Sequence, residues 1–450
     1  MITREAPAIP IRPAEPAHRS GRVAVALWAL LIAATFAAGY LLRRAGLATE
    51  DELPPLHAEA RGEPHTWQLY PAIAVAVLYV ALLPVLVRRL TWRPLLVAAW
   101  LATLAWTIVL ALSDGFDHIA KPLDAPTEYP AGLDPVRADP AGWLRTFTDR
   151  LNGYPTHIRG HPPLPTLVFW ALDAAGLRGT TWAAVVIILV ATSAVIAIAM
   201  TVRLLAGEEL ARRALPFLVM APLVLWIATA MDAFFLGVGA WGTVLVAFAA
   251  KRNRALAALG GGLLLGSLPY LSYGLLPLFA VPAAVLIAVR PSARVVAVLL
   301  CGCAIVPVAF TLGGFWWPDG VAATYETYRV SRGSAMRPYW YFLVADFAVL
   351  GLLVGPAVAH ALPSTLAPLG RAARDRVLPP VPTMLVGAAL LGTIALAVSG
   401  VTRGEVERIW VPYAAWMMVA AARHTPPSRG WLAAQAVTAL LVQSLVLSEW

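Results

Sequence analysis

Two carboxylates three residues apart, Asp114 and Asp117, open the most polar stretch of an otherwise apolar chain. That stretch runs from Ser113 to Pro163, reads SDGFDHIAKPLDAPTEYPAGLDPVRADPAGWLRTFTDRLNGYPTHIRGHPPLP, and closes on Tyr154, His157, Arg159 and His161. A carboxylate directly after an apolar run sits where membrane meets water, and there it can take a proton from a hydroxyl of a lipid-linked head group. Spacing of three places both on one side if the helix continues for another turn. The plain alternative is a helix-end carboxylate solvated by interfacial water, although the helix dipole disfavours a negative charge at that terminus. Arginine and histidine at the far end of the loop suit a phosphate or pyrophosphate, or equally an anionic phospholipid surface.

Other segments add polar groups where polarity is costly. Arg403, Glu405, Glu407 and Arg408 precede a late apolar run, and Arg408 is the expected phosphate contact; an interfacial salt-bridge cluster of small energetic value is the competing reading. Asp346 lies inside an apolar run and must face protein or a wet cavity, because a charge facing lipid costs at least ~2.5 kcal/mol. Tyr325, Tyr328, Arg329, Arg332 and Arg337, with Trp316 and Trp317, form an aromatic and basic segment that also fits an interfacial belt. Tyr154, Asp232, Tyr273, Arg337, Asp346, Glu405 and Glu407 are the candidates for holding a substrate's polar body. No metal ligand set is assigned. His118, His157, His161 and the carboxylates leave room for a divalent cation, but their spacing matches no standard zinc pattern and no cofactor is assigned.

The elements that must position these groups are membrane helices. Across 450 residues, 60% are hydrophobic and 13% charged, and mean hydropathy is +0.72, which excludes a water-soluble protein of this size. Apolar runs of roughly 17 to 25 residues recur from Val23 onward, each long enough to cross the hydrocarbon core as a helix. The net charge of +9 comes from short clusters between these runs, so topology explains it better than nucleic-acid binding. Cys301 and Cys303 diverge on a helix and are not expected to pair.

Short cytoplasmic loops collect Arg and Lys, which orients the spans. The N-terminal tail with Arg4, Arg12, Arg19 and Arg22 is expected in the cytoplasm, and Val23 to Leu42 is a retained first span. Later spans return to basic turns at Arg88, Arg89 and Arg93, at Arg203, Arg212 and Arg213, at Lys251, Arg252 and Arg254, at Arg290 and Arg294, at Arg371, Arg374 and Arg376, and at Arg423 and Arg429. This alternation puts the Ser113 to Pro163 loop, the turn near Asp232, the Pro269 to Tyr273 segment, Gly313 to Pro338 and Arg403 to Arg408 outside. Pro163 to Gly176 is too short to cross and is expected as a juxtamembrane helix on the outer surface. The resulting reading is an all-α polytopic membrane protein with about 13 spans: a tail at 1–22, two N-terminal transmembrane helices in 23–94, and a main membrane domain at 95–450 that includes the loop 113–163.

Several of these segments resemble a known family. GHPPLPTLVFWALDAAGL, from Gly160 to Leu177, is similar to the H-P-P-L segment of the dolichyl- and polyprenyl-phosphate-mannose type glycosyltransferases and their bacterial relatives, members of the C-type glycosyltransferase superfamily. APLVLWIATAMDAFFLGVGAW places Asp232 where that family often has an Asp, LPYLSYGLLPL looks like its following outer turn, and GEVERIWVPY is similar to its E-R-x-x-x-P segment. The resemblance implies a C-type fold and an inverting sugar transfer at the outer face of the plasma membrane. It implies a polyprenyl-phosphate donor and a glycan, lipid or protein acceptor of the cell envelope, with membrane lipids around the site and no nucleic-acid partner. Asp114, with Asp117 second, matches the family's catalytic base; His157, Arg159, His161, Arg403 and Arg408 would hold the donor phosphate. Two rival expectations are a transporter or flippase for a lipid-linked or anionic substrate, which should carry charges near the midplane on broken helices, and an inactive assembly subunit, in which Asp114→Asn would be silent.

Overall fold

Small residues decide where the helices touch. Helix Met231–Arg252 carries Gly237, Gly239 and Gly242 and is the most enclosed of the uninterrupted helices, lying between Thr180–Ala206 and Ala255–Leu271. At Gly237 a Cβ would fall 2.5 Å from the carbonyl oxygen of Val190, so no larger residue permits this approach. The computed structural model describes residues 15–47, 52–330, 336–425 and 427–449, with side chains from Arg19 onward. Arg4, Arg12 and Arg332 lie outside the described residues, as does most of the tail at 1–22.

The chain is nearly all-α, and among the described residues eight helices are long and apolar enough to cross a membrane: Arg19–Arg44, Trp67–Arg89, Trp92–Asp114, Thr180–Ala206, Met231–Arg252, Ala293–Leu312, Tyr339–Asp375 and Val381–Ser399. Backbone breaks account for much of the distance from thirteen. The run expected to lead into the Asp232 turn is a helix only over Glu208–Val219, after which the chain continues as a 3-10 turn at Pro222–Trp226. The run after Tyr273 likewise begins as a 3-10 segment before Ala280–Val289, and the run after Arg408 is Val411–Met417 followed by 3-10 turns. Prolines at 222, 277 and 412 lie in or at the start of these pieces, where a missing N–H is least costly. The long helix Tyr339–Leu366 is itself broken at Gly355, whose φ of 71° and ψ of 177° only glycine adopts readily. Buried Gln435 closes that break: its Oε1 accepts the Ala357 N–H at 3.1 Å and its Nε2 donates to Val354 O at 2.8 Å. In an apolar setting each of those backbone groups would otherwise cost several kcal/mol.

The first helix, Glu15–Arg44, lies along Tyr339–Leu366, held by Trp28 Nε1 donating to Gly351 O at 2.9 Å and the Tyr341 hydroxyl donating to Thr35 O at 3.0 Å. The Pro163 to Gly176 stretch forms the 11-residue helix Leu164–Ala174, and the polar segment after Leu312 contains a further helix, Trp317–Val330.

Loops gather at two ends of the bundle. One end carries basic turns that lock onto helix termini, as where Arg212 donates to the carbonyls of Val87 at 2.7 Å and Leu90 at 2.9 Å, and Arg203 lies over the Trp92 ring at 4.6 Å. The other end brings together residues 52–66, the 113–163 loop, the 222–230 turn, 400–410 and 446–449. There, strands β1 (Ala58–Ala60) and β2 (Val446–Ser448) pair antiparallel with Glu59 opposite Leu447. This ribbon joins segments almost a chain length apart.

Candidate active site

A cavity of about 450 Å³ opens at this second end. Its walls come from the last turn of helix Trp92–Ala111 (Thr107, Leu110, Ala111), from Val224, Leu225 and Trp226, and from Val442 near the end of helix Arg429–Leu445. Its charged groups are Glu59, Arg61, Asp114, His118, Lys121 and Glu449. The result is a pocket with apolar sides drawn from two helices and the 222–226 turn, and a mouth of mixed charge.

Asp114 ends a 3-10 turn that continues the helix, and Gly115 at φ 101° turns the chain away immediately after it. Four donors converge on its carboxylate. Arg61 binds both oxygens, Nη1 to Oδ1 at 2.7 Å and Nη2 to Oδ2 at 2.9 Å; His65 Nε2 lies 2.8 Å from Oδ1, and Gln443 Nε2 donates to Oδ2 at 2.8 Å. A carboxylate offers about four lone-pair sites, so this one is saturated. Gln443 also donates to Ser113 Oγ at 2.9 Å and accepts from Arg61 Nε through its carbonyl at 3.0 Å, and Ser444 Oγ donates to His65 O at 2.7 Å. The group expected as a free base is therefore the anchor that aims Arg61 at the cavity. Asp117 faces solvent and does not border the cavity.

Beside the cavity lies a buried ionic knot. Arg408 donates through Nη1 to Asp232 at 2.7 Å and through Nη2 to Glu405 at 2.7 Å, with Nη2 also 3.4 Å from His157 Nε2. His157 Nδ1 lies 2.8 Å from Glu128 Oε1, so the ring stands between that carboxylate and the guanidinium. Arg337 reaches Glu405 at 3.2 Å and donates to Arg403 O at 2.8 Å, while Arg403 donates back to Arg337 O at 3.1 Å. Burial opposes the charged form of Glu405, but Arg408 and Arg337 outweigh it and hold its carboxyl well below the usual range. Burial pushes the Glu407 carboxyl up, although it accepts the His57 N–H at 2.9 Å. Gly404 N–H caps Asp346 at 3.2 Å.

Tyr129 roofs the knot, with its ring 5.8 Å from His157, 5.7 Å from His161 and 5.5 Å from Phe169, and burial holds its hydroxyl far above the ordinary phenol range. Burial pushes His161 down to about 4, and its Nδ1 lies 2.9 Å from His157 O. Pro162 and Pro163 then start helix Leu164–Ala174, so the H-P-P-L segment fixes the histidine pair against the bundle.

The expected phosphate ligands thus divide from the cavity. His157, His161 and Arg408 turn inward to the knot, Arg403 stacks on Tyr339 at 5.5 Å, and Arg159 reaches only Thr156 at 3.4 Å among its described contacts. Tyr154 packs among Trp143 and Phe147, and Tyr273 packs against Trp317 at 5.7 Å. Asp232, Arg337, Asp346, Glu405 and Glu407 come together, but around Arg408 and the 404–407 turn instead of the pocket. Among the described residues no group of three or more His, Cys, Asp or Glu is placed to hold a metal ion. Of the residues that line the pocket's mouth beside Asp114, Glu59, Arg61, Lys121 and Glu449 were legible only as polar residues in outer segments and His118 only as a conceivable metal ligand; Gln443, one of two amides in an apolar helix, was the clearest unused signal.

No family model matches the sequence, and neither the curated proteins nor the solved structures contain a match.

Proposed function

We propose that this chain is a membrane glycosyltransferase that moves a sugar from a polyprenyl-phosphate donor to a cell-envelope acceptor at the outer face of the plasma membrane. The observation that carries the reading is the two-part pocket: Arg61, His118 and Lys121 at the mouth, and Thr107, Leu110, Ala111, Leu225 and Val442 along the wall. A lipid phosphate needs that pairing, cations for the head and an aliphatic channel for the chain. Lys121 Nζ lies 3.2 Å from His118 Nε2 and keeps N–H donors for an anion. The order of the H-P-P-L and E-R-x-x-x-P segments supports the same reading, with His161 and Arg408 serving the frame around the pocket.

In this reaction the acceptor oxygen attacks the anomeric carbon as the phosphate leaves, inverting the centre in a single displacement. A monophosphate dianion develops on departure, and Arg61, oriented beforehand by Asp114, stabilises that charge in the transition state. The basic turns at the opposite end support a cytoplasmic position for that end and the N-terminus, with the pocket outside.

The transporter reading makes a different demand on the fold. It needs charged groups on a broken helix near the midplane, whereas the Gly355 break is filled by the neutral amide of Gln435 and the unwound 222–226 turn presents only Val224, Leu225 and Trp226 to the pocket. The test uses membranes from cells expressing the full chain, supplied with polyprenyl-phosphate donors carrying radiolabelled mannose, glucose, galactose or arabinose. Label entering lipid-free polymer, and lost in Arg61→Gln, is expected. No transfer with any donor, together with movement of the donor across reconstituted vesicles, would replace this reading with the transporter.

A further inference from the structure

The pocket holds three carboxylates, and their surroundings differ. Asp114 has four donors on its two oxygens. Glu449 lies 3.1 Å from His57 Nε2, and that contact holds its carboxyl below the usual range. Glu59 borders the same cavity with no ion pair or side-chain hydrogen bond among the described residues. It stands two residues before Arg61, so on extended chain the two side chains leave on the same side. Its backbone is fixed by the β1–β2 ribbon, by the Leu53 N–H donating to Ala58 O at 3.0 Å and by the Arg61 N–H donating to Leu445 O at 2.9 Å.

We infer that Glu59 is the general base of this site, taking the proton of the acceptor hydroxyl while Asp114 serves as the positioning residue for Arg61. The inference rests on the glycosyl-transfer reading above. The acceptor O–H proton passes to the Glu59 carboxylate as the acceptor oxygen bonds to the anomeric carbon. The bond from that carbon to the phosphate oxygen breaks, and its electron pair departs on the phosphate beside Arg61. Glu59 is exposed, so it returns its proton to water and is ready for the next cycle. The buried carboxylates Asp346 and Glu407 have no such exit.

Steady-state transfer in membranes, with the same panel of radiolabelled donors, separates the roles. A positioned base contributes about 100-fold or more. Glu59→Gln should therefore lower kcat by about that factor with KM changed less than about threefold, and Glu59→Asp should recover part of the loss. The acid limb of the kcat/KM profile should disappear in Glu59→Gln. Asp114→Asn should instead raise KM for the donor and keep that limb. Thermal unfolding of Glu59→Gln matching wild type would tie its loss to chemistry. Wild-type kcat in Glu59→Gln, or an acid limb lost in Asp114→Asn and kept in Glu59→Gln, overturns the assignment while glycosyl transfer stands. A wild-type chain inert with every donor overturns the transfer reading, and Glu59 as its base falls with it.

Discussion

The ionic knot around Arg408 and the mouth around Arg61 are built from the same residue types and are similarly buried, but only the second borders the cavity. In the knot, Arg408 is 6% exposed and divides its guanidinium between Asp232 and Glu405. At the mouth, Arg61 is held by one carboxylate and the Gln443 backbone carbonyl, and it lines the cavity. A charge shut away from water must be matched inside the protein, so it is committed to holding elements together. A charge beside a cavity and anchored from behind keeps a face for a ligand. The difference teaches that an arginine's part in a site follows from what lies on its free side, more than from how polar its segment is.

The sharpest way to break this comparison is to uncouple the knot. Arg408→Gln leaves Asp232 and Glu405 buried without their cation, and a loss of about 3–5 kcal/mol is expected, read as a fall in expression and in the detergent-solubilised unfolding temperature. Retained stability would mean that water reaches the knot. Arg61→Gln should cost less stability than Arg408→Gln, because Asp114 keeps His65 and Gln443, and should reduce transfer from polyprenyl-phosphate donors by about 100-fold, in the range seen when a single transition-state donor is removed.

Acidity tests the knot from another side. His161 folds with a value near 4 against an ordinary 6.5, so the unfolded chain binds the extra proton first. Its contribution is whole above pH 6.5, declines as pH falls through the interval and is gone below about 4. The shift corresponds to about 3 kcal/mol at most, and the unfolding temperature of wild type should fall over that window more steeply than that of His161→Gln. Parallel curves would remove His161 from the account. The smallest effect belongs to Arg137, half exposed and paired with Asp134 and Asp173: Arg137→Ala should cost less than about 1 kcal/mol and leave transfer intact.

Much of the scaffold was readable in advance because hydropathy and the placement of arginines report directly on which segments meet lipid and which turns share an end. Helix breaks were not, since Gly355 and Pro222 change the backbone without changing how apolar the run is. The partnership of Asp114 with Arg61, His65 and Gln443 was hidden for a related reason. A sequence shows that a carboxylate lies near an interface but not which distant donor will reach it. Arg408 and Asp232 were both singled out, yet nothing in either segment says that each is the other's counterion.

The β1–β2 ribbon has a consequence for biogenesis. Residues 58–60 leave the ribosome long before 446–448, and Gln443 belongs to the last helix of the described chain. Until that helix is in place, the pocket lacks one wall, and Asp114 lacks one of its four donors. The order of synthesis therefore makes assembly of the pocket wait for helix Arg429–Leu445, and a chain stalled before it would leave the cavity without Val442, Gln443 and the β1–β2 ribbon.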